Sequence, residues 1–567
     1  MTKLSRLCSS AVSLLIILAI LLGLSSCTLI GIRELSLEFT LTEADYTAFA
    51  EKAAALEQDA ENGASYFKVL FDTVGFSNRF TFIDTQATIA YLNYCKDIKN
   101  ESATADYKFA TSVRIKAVEL YNKTLKNILN LDNEVTEMLF ADWTEEDKET
   151  LLSYDSDTSA LLERNETLLM EHMALDSEAE DWFEKSDPLF EEFFSNNNSI
   201  AGYFGYDNYY DYATEKIQLR DYSSEQREIF RGYVKEYIVP LYAEVKARRL
   251  AAFESADESL TKNYEDLVLC NYDENGWDTD YIADYVDGYD GDLNYYLSKM
   301  YSSGGVIIGD GENALDTAFT TLLTYYDEPV VFFGRGYRNM LTVVHENGHY
   351  AAFCNPDALG QSLDVHEIQS QGNEWMFVAY LENVIDNKVY EMMLLDRLTR
   401  GLSNVIISTA VDEMEELIYK GGADSIAEAC AIVAPTYGDR FSDTDFLEDY
   451  FRHVAMSSPV YYISYATSEL VSMGLYLIAK EDYGEAQEVY SDLILDMGTY
   501  EGFVGAIEHC GFLDPFDKNT FEYIVEVFSE GQNDAESPEE NPEENENPED
   551  NENNEENEGI VVLARAA

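Results

Sequence analysis

The stretch Met340–Phe353, which reads MLTVVHENGHYAAF, constrains this chain more than any other segment. It holds His345, Glu346 and His349 in the spacing H-E-x-x-H, and positions i and i+4 of a helix share one face. The two imidazoles could therefore bind one metal ion, with the glutamate beside them free to handle protons. The apolar flanks predict a buried helix, which would hold its ligands in fixed rotamers. The alternative is a pair of ordinary helix histidines with a solvated glutamate, although the chain has only six histidines.

A catalytic zinc ion usually has three protein ligands and one open position. The candidate for the third ligand is Glu367, which follows His349 by eighteen positions on a second helix predicted to begin near Asp364. Ser370 and Glu374 stand on the same face of that helix and are predicted to support the ligand by hydrogen bonding. In the alternative interpretation, Asp364 and Glu367 form a D-x-x-E capping box. One zinc ion per chain is expected.

The charge of the chain limits its partners. The formal net charge is -71 over 567 residues, which argues against nucleic acid or an anionic lipid surface as a partner. The length allows a large core and more than one lobe. Seven scattered cysteines without a C-x-x-C pair predict no essential disulfide framework. The oligomeric state is left open by these features.

The N-terminus has the pattern of an export signal. Lys3 and Arg6 precede the apolar run Ala11–Leu24, and Leu-Ser-Ser then leads to Cys27. The run is short for a membrane span and suits a signal peptide over 1–26. This ending resembles the lipobox of bacterial lipoproteins, so lipidation of Cys27 would anchor the body at the extracellular face of the cytoplasmic membrane. A non-cleaved anchor or an ordinary secretory signal is the alternative.

Hydrophobic periodicity divides the remaining chain. We predict an N-terminal helical lobe over 27–215, a catalytic lobe over 216–530 and an acidic, disordered tail over 531–567. His172, the only histidine of the first lobe, is predicted to lie on the surface. The run Pro329–Phe333 (PVVFF) predicts a strand. That strand could pair with an extended peptide, or it could be a plain buried strand.

A third segment offers groups for stabilising an oxyanion, which requires hydrogen-bond donors aimed at it. The stretch Arg452–Thr467, RHVAMSSPVYYISYAT, contains His453, Tyr461, Tyr462 and Tyr465. Tyr462 and Tyr465 are three positions apart and would share a helix face. Core packing is the ordinary explanation of such tyrosines.

The three motifs HENGH, HEIQSQGNE and RHVAMSSPVYYISYAT, in this order, resemble the zinc oligopeptidases of the oligoendopeptidase F and thimet oligopeptidase family. The resemblance extends over roughly 203–530. It implies a mainly α, two-lobed helical metallopeptidase with a deep substrate channel and a small β element beside the metal helix. Asn347 departs from the pattern, because an apolar residue is more usual at its position.

The resemblance also implies roles for the candidate residues. Zinc would be bound by His345, His349 and Glu367; Glu346 would be the general base; substrate and intermediate would be held by His453, Tyr462 and Tyr465. The expected activity is zinc-dependent endopeptidase hydrolysis of oligopeptides outside the cell, by metal-activated water. The alternatives are a peptide-binding surface lipoprotein without hydrolysis and a related helical metallocarboxypeptidase.

Overall fold

The computed structural model describes residues 35–529, except for 132, 142, 144–147, 149–150, 153–155, 178, 271, 274–275, 278–279, 337–338 and 439–443. The predicted export signal, the lipidation site Cys27 and the acidic tail over 531–567 lie outside the described residues. Among the helices that the structure describes, none has both the length and the apolar character needed to cross a bilayer.

The chain is mainly helical. Its first helices are α1 (Glu43–Glu61), α2 (Tyr66–Lys96), α3 (Glu101–Leu129), α4 (Glu134–Leu139), α5 (Ser156–Met173), α6 (Trp182–Tyr203) and α7 (Tyr209–Tyr212). After the π turn Ala213–Ile217 come α8 (Ser224–Tyr233), the π turn Val234–Ile238, α9 (Val239–Ser255), α10 (Glu258–Val268), α11 (Asp280–Asp287) and α12 (Gly291–Ser302).

All the described strands lie in the middle of the chain: β1 (Tyr272–Asp273), β2 (Gly276–Trp277), β3 (Val306–Ile308), β4 (Ala318–Leu323) and β5 (Glu328–Phe333). The chain then continues as α13 (Met340–Phe353), α14 (Leu363–Leu381), α15 (Asn387–Tyr419), α16 (Ile426–Val433), the 3-10 turn Ala434–Thr436, α17 (Thr444–Val454), α18 (Ile463–Glu481), α19 (Tyr483–Leu495), α20 (Gly502–Cys510) and α21 (Lys518–Ser529).

The two largest hydrophobic cores of the described residues define two lobes. The smaller core is built from α1 to α4 and the residues around them, and stacked rings of Phe49, Phe76 and Tyr121 run through it. The larger core extends from Leu168 in α5 to Phe528 in α21. The predicted two-lobed, mainly α fold is therefore confirmed. The domain boundary at 215 stays a prediction, although α5 and α6 already contribute to the larger core.

His172, predicted to be exposed, is 7% exposed, and the prediction is wrong. Its Nε2 atom lies 2.9 Å from the Arg452 carbonyl oxygen, and its ring packs between Trp182 and Phe190. The helical pattern of α5 alone could not show that α6 and α17 cover this face.

The strand predicted at PVVFF is β5, the centre of a three-stranded sheet of order β3-β5-β4. It pairs antiparallel with β4 along its whole length and in parallel with β3 over Val331–Phe333, so it lies between two strands. Of the two interpretations, the structure favours the plain buried strand, because Pro329–Phe333 are buried. The sheet packs on α13 through β4, which confirms the small β element beside that helix: Thr320 of β4 donates a hydrogen bond to Glu346 of α13.

Candidate metal centre

The helix α13 is buried along nearly its whole length and begins at a side-chain cap. The Asn339 side chain accepts a hydrogen bond from the Thr342 amide, which satisfies one of the free N–H groups of the first turn. His345 and His349 follow one turn apart on the same face, and their rings lie 4.9 Å apart. The local spacing alone therefore brings the two imidazoles together.

Gly348 lets α13 approach α14 closely. A Cβ atom at this position would lie 2.5 Å from the Gln369 carbonyl oxygen and 2.8 Å from the Ser370 Cα atom, distances that real Cβ atoms do not show. Because the opposing atoms are backbone, only glycine allows this separation. The close packing places Glu367, one turn away on α14, opposite the histidine pair.

The three predicted ligands meet at one point. Glu367 places Oε2 3.8 Å from Nε2 of His345 and Oε1 3.8 Å from Nε2 of His349. All three ligand atoms lie within 4.8 Å of one another. Ligand atoms around a tetrahedral zinc ion are separated by about 3.4 Å when the bonds are about 2.1 Å long. Neither Nε2 atom has a hydrogen-bond partner among the described residues, although both are buried. This donor set fits a zinc ion.

His345 is oriented by a carboxylate behind it. Its Nδ1 atom lies 2.8 Å from Oε1 of Glu374, so Nδ1 carries the proton and Nε2 keeps its lone pair for a cation. Glu374 in turn forms an ion pair of 3.0 Å with Arg397, which is bidentate to Glu469. Burial alone would lower the pKa of His345, but the Glu374 hydrogen bond and the surrounding carboxylates raise it to about 9. The surrounding carboxylates thus favour a positive charge at this position, and a bound cation would take the place of a proton on Nε2.

Glu367 is held by two hydroxyl groups. Ser370 donates to Oε2 at 3.2 Å, and Tyr461 donates to Oε1. Burial raises the pKa of Glu367 to about 7, against the lowering effects of His345 and these hydroxyls. The proposed capping box is absent here, because Ser362 is the N-cap of α14 and bonds the Val365 amide. The carboxylate of Glu367 is therefore directed at the histidines.

Glu346 lies beside the ligands and is completely buried. Its Oε2 atom accepts a hydrogen bond of 2.7 Å from Thr320, whereas its Oε1 atom has no hydrogen-bond partner among the described residues. Burial raises its pKa to about 7, and the charge of His345 and the Thr320 bond oppose this only in part. A carboxylate held at one oxygen, with a pKa near neutrality, can accept and return a proton.

Tyr461 is a site residue that is not among the predicted catalytic residues. Its hydroxyl donates to the carboxylate of the candidate ligand Glu367, and its ring lies 5.1 Å from that of Tyr465. Tyr462, which the resemblance predicts to hold substrate, is the buried residue before α18, with its ring 5.6 Å from that of Tyr465. Residues four apart share a helix face as residues three apart do. The pair Tyr461 and Tyr465 therefore fits the sequence as well as the predicted pair Tyr462 and Tyr465.

His453 lies at the surface, apart from the ligands. Its side chain is 48% exposed, its Nδ1 atom donates to the Asp449 carbonyl at 2.8 Å, and its ring packs on Trp182. None of these contacts joins it to the histidine and glutamate ligands. A role for His453 in holding substrate stays a prediction.

The departure at Asn347 has a structural reason. Its side-chain amide donates to the Leu297 carbonyl oxygen at 2.8 Å and ties α13 to the middle of α12. Asn373 of α14 similarly donates to the Val344 carbonyl at 2.7 Å. These buried amides fix the two helices that carry the ligands.

No protein-family model matches the sequence, and no curated protein matches it by sequence. Solved structures do match in fold. A protein assigned as oligoendopeptidase F from Bacillus anthracis strain Ames superposes with a TM-score of 0.65 at 16% identity, over 87% of this chain and 96% of that one. A second structure assigned as oligoendopeptidase F gives 0.67 at 16% identity, over 87% and 97%. PZ peptidase A, solved with an inhibitor, gives 0.67 at 15% identity, over 87% and 98%.

These comparisons define the class of fold. The chain has the helical fold of the oligoendopeptidase F structures, over most of its own length and nearly all of theirs. The resemblance drawn from the three sequence motifs is thereby confirmed at the level of the fold. At such low identity the similarity in fold does not establish an activity for this chain, since one fold supports several functions.

Proposed function

We propose that this protein is a zinc-dependent endopeptidase that hydrolyses oligopeptides. The observation that carries the proposal is the convergence of His345, His349 and Glu367, with two buried Nε2 atoms that no described residue satisfies. Glu346 lies beside them, positioned as a general base. The fold shared with peptidase structures supports the same reaction class.

The residues of the chain divide the chemistry among them. Bound zinc would polarise a water molecule and the scissile carbonyl group. Glu346 would take the water proton at Oε1 and transfer it to the leaving nitrogen, while Thr320 keeps Oε2 in place. Tyr465 is the candidate donor to the developing oxyanion, and Tyr461 holds the ligand Glu367.

The proposed location rests on the N-terminal sequence alone. The basic residues, the apolar run and Leu-Ser-Ser-Cys27 support a lipid anchor at the outer face of the cytoplasmic membrane. Oligopeptides in the surrounding medium would be the substrates. Globomycin-sensitive processing, followed by mass spectrometry of the new N-terminus, tests this part; a mature protein that keeps residues 1–26 contradicts it.

The activity is tested with purified protein that begins after Cys27 and with a quenched fluorescent peptide. Cleavage that a chelator abolishes and added zinc restores is expected. Glu346→Gln should keep its zinc and lose cleavage, whereas the exposed control Glu391→Gln should behave as the wild type. Full activity in Glu346→Gln would falsify the mechanism.

Product analysis separates the alternatives. Internal cleavage of a peptide blocked at its C-terminus supports an endopeptidase, and removal of single C-terminal residues from free peptides alone identifies a carboxypeptidase. Tight peptide binding without turnover identifies a binding lipoprotein that does not hydrolyse.

A further inference from the structure

The residue before Tyr461 has an unusual backbone conformation. Val460 has a φ angle of +59°, and a β-branched residue rarely adopts positive φ. Val460 is fully buried, so the turn is packed on all sides. A conformation of this kind persists where the surroundings hold it firmly.

Three buried side chains from distant parts of the sequence hold this turn. Arg220 donates from Nη1 to the Val460 carbonyl at 2.7 Å and from Nη2 to the Tyr461 carbonyl at 3.1 Å. Glu415 of α15 accepts a hydrogen bond of 2.7 Å from the Val460 amide. Gln218 donates to the Pro459 carbonyl at 3.2 Å. The carbonyl groups of Pro459, Val460 and Tyr461 and the amide of Val460 are thus each bonded by a buried side chain.

Arg220 also reaches the helix that carries the third ligand. Its Nε atom lies 3.1 Å from Oδ2 of Asp364, and both side chains are completely buried. Asp364 precedes Glu367 by three residues on α14. The hydroxyl of Ser464, which follows the turn, contacts both Arg220 and Asp364. One guanidinium group therefore connects the turn of Tyr461 to the helix of Glu367.

We propose that Arg220 is a positioning residue, which holds the Val460–Tyr461 turn against α14 so that the Tyr461 hydroxyl meets the Glu367 carboxylate. The expected effect of Arg220 on catalysis rests on the proposed function. A buried ion pair is weak grounds for stability, because desolvation offsets the attraction between the charges. The planar fork of arginine serves several acceptors in fixed directions, which a lysine cannot do.

A double-mutant cycle tests this role. The variants are Arg220→Lys, Tyr461→Phe and the combination of both, and the readouts are the zinc dissociation constant, measured by chelator competition, and kcat and KM on a quenched peptide. We expect each single variant to weaken zinc binding and to lower kcat by about 10-fold, with KM within about 2-fold of the wild type. The combined variant should be no worse than Tyr461→Phe, because Arg220 acts through Tyr461.

Three further variants separate positioning from general stability. Arg231→Lys removes another buried arginine, which is paired with Asp412 and Glu416, and it should lower stability while zinc affinity and kcat stay at wild-type values. Glu415→Gln keeps an oxygen acceptor for the Val460 amide and should retain zinc affinity. Glu415→Leu removes that acceptor and should reproduce Arg220→Lys, which keeps the test decisive if Arg220→Lys does not fold.

The possible outcomes are distinct. Losses that multiply in the combined variant would overturn the proposal, since Arg220 would then act independently of Tyr461. Unchanged zinc affinity in Arg220→Lys and in Glu415→Leu would overturn it as well. Zinc binding by the wild type without any peptide cleavage would remove the proposed function alone, and the affinity cycle would still decide the role of Arg220. A wild type that binds no zinc would overturn both.

Discussion

The Nδ1 atom of His345 lies 2.8 Å from the Glu374 carboxylate, and this contact turns the Nε2 atom of the same ring toward Glu367. One hydrogen bond thus decides both the tautomer and the direction of a candidate metal ligand. Arg397 keeps Glu374 charged for this task, because its guanidinium forms an ion pair with the same carboxylate.

Removal of this carboxylate should weaken the metal site without removing a ligand. Glu374→Gln is expected to raise the zinc dissociation constant about 10- to 100-fold, because the amide orients His345 less well and adds no negative charge. Chelator competition followed by fluorescence measures the constant. The exposed Glu391→Gln variant is the control, and equal affinities in the two variants would contradict the role of Glu374.

Gly348→Ala should separate α13 from α14. The added methyl group would lie 2.5 Å from the Gln369 carbonyl oxygen, so the backbone must move, at a cost of about 1–3 kcal/mol in the free energy of unfolding. The displaced Glu367 should also reduce zinc content. Gly202→Ala is a matched control, because a Cβ atom there meets nothing within 4 Å, and it should be neutral or slightly stabilising. Urea unfolding and metal analysis report both quantities.

Thr320→Val should affect the general base and leave the metal in place. The exchange keeps the shape of the side chain and removes the hydroxyl that donates to Oε2 of Glu346. A hydrogen bond to a charged group contributes about 1.5–3 kcal/mol, so kcat should fall about 10- to 100-fold at unchanged zinc content. The adjacent Thr321→Val, on the opposite face of β4, is the control. Wild-type kcat in Thr320→Val would show that Glu346 needs no such support.

The buried His172 should make stability depend on pH. Burial lowers its pKa from 6.5 to about 4, against a raising effect of the Arg452 carbonyl, so the folded state prefers the neutral ring. Below pH 6.5 the unfolded chain binds a proton that the folded chain does not, and stability falls until the folded ring is protonated near pH 4. The loss amounts to at most about 3 kcal/mol.

Urea unfolding of the wild type and of His172→Gln at pH 7, 5.5 and 4.5 measures this contribution. The amide of glutamine keeps a donor for Arg452, so the variant should differ mainly in a flatter pH profile. His509→Gln, at an exposed histidine, should follow the wild-type profile. Parallel profiles for the wild type and His172→Gln would contradict the assignment.

Local spacing determined part of this protein without any tertiary information. The i, i+4 period places His345 and His349 on one face of a helix whatever surrounds it. The apolar period likewise predicts a mainly helical chain, and the short β-branched run predicts β5. The sequence also predicted Glu367 as a candidate third ligand, because it lies near the start of the next predicted helix, eighteen positions after His349. These features depend on residues within a few turns of each other.

The tertiary structure alone decided the remainder. Tyr461 reaches Glu367 because two distant side chains hold the backbone at Val460. Arg220, which precedes Val460 by 240 residues, bonds the carbonyl groups of Val460 and Tyr461, and Glu415 accepts from the Val460 amide. These bonds keep Val460 at a positive φ, which a β-branched residue disfavours. His172 is buried because α6 and α17 pack over it, and β5 is central because β3 and β4 take both its edges. Contacts between distant segments leave no periodic trace in the sequence, so periodicity identified the helix of His345 and His349 but could not decide between Tyr461 and Tyr462.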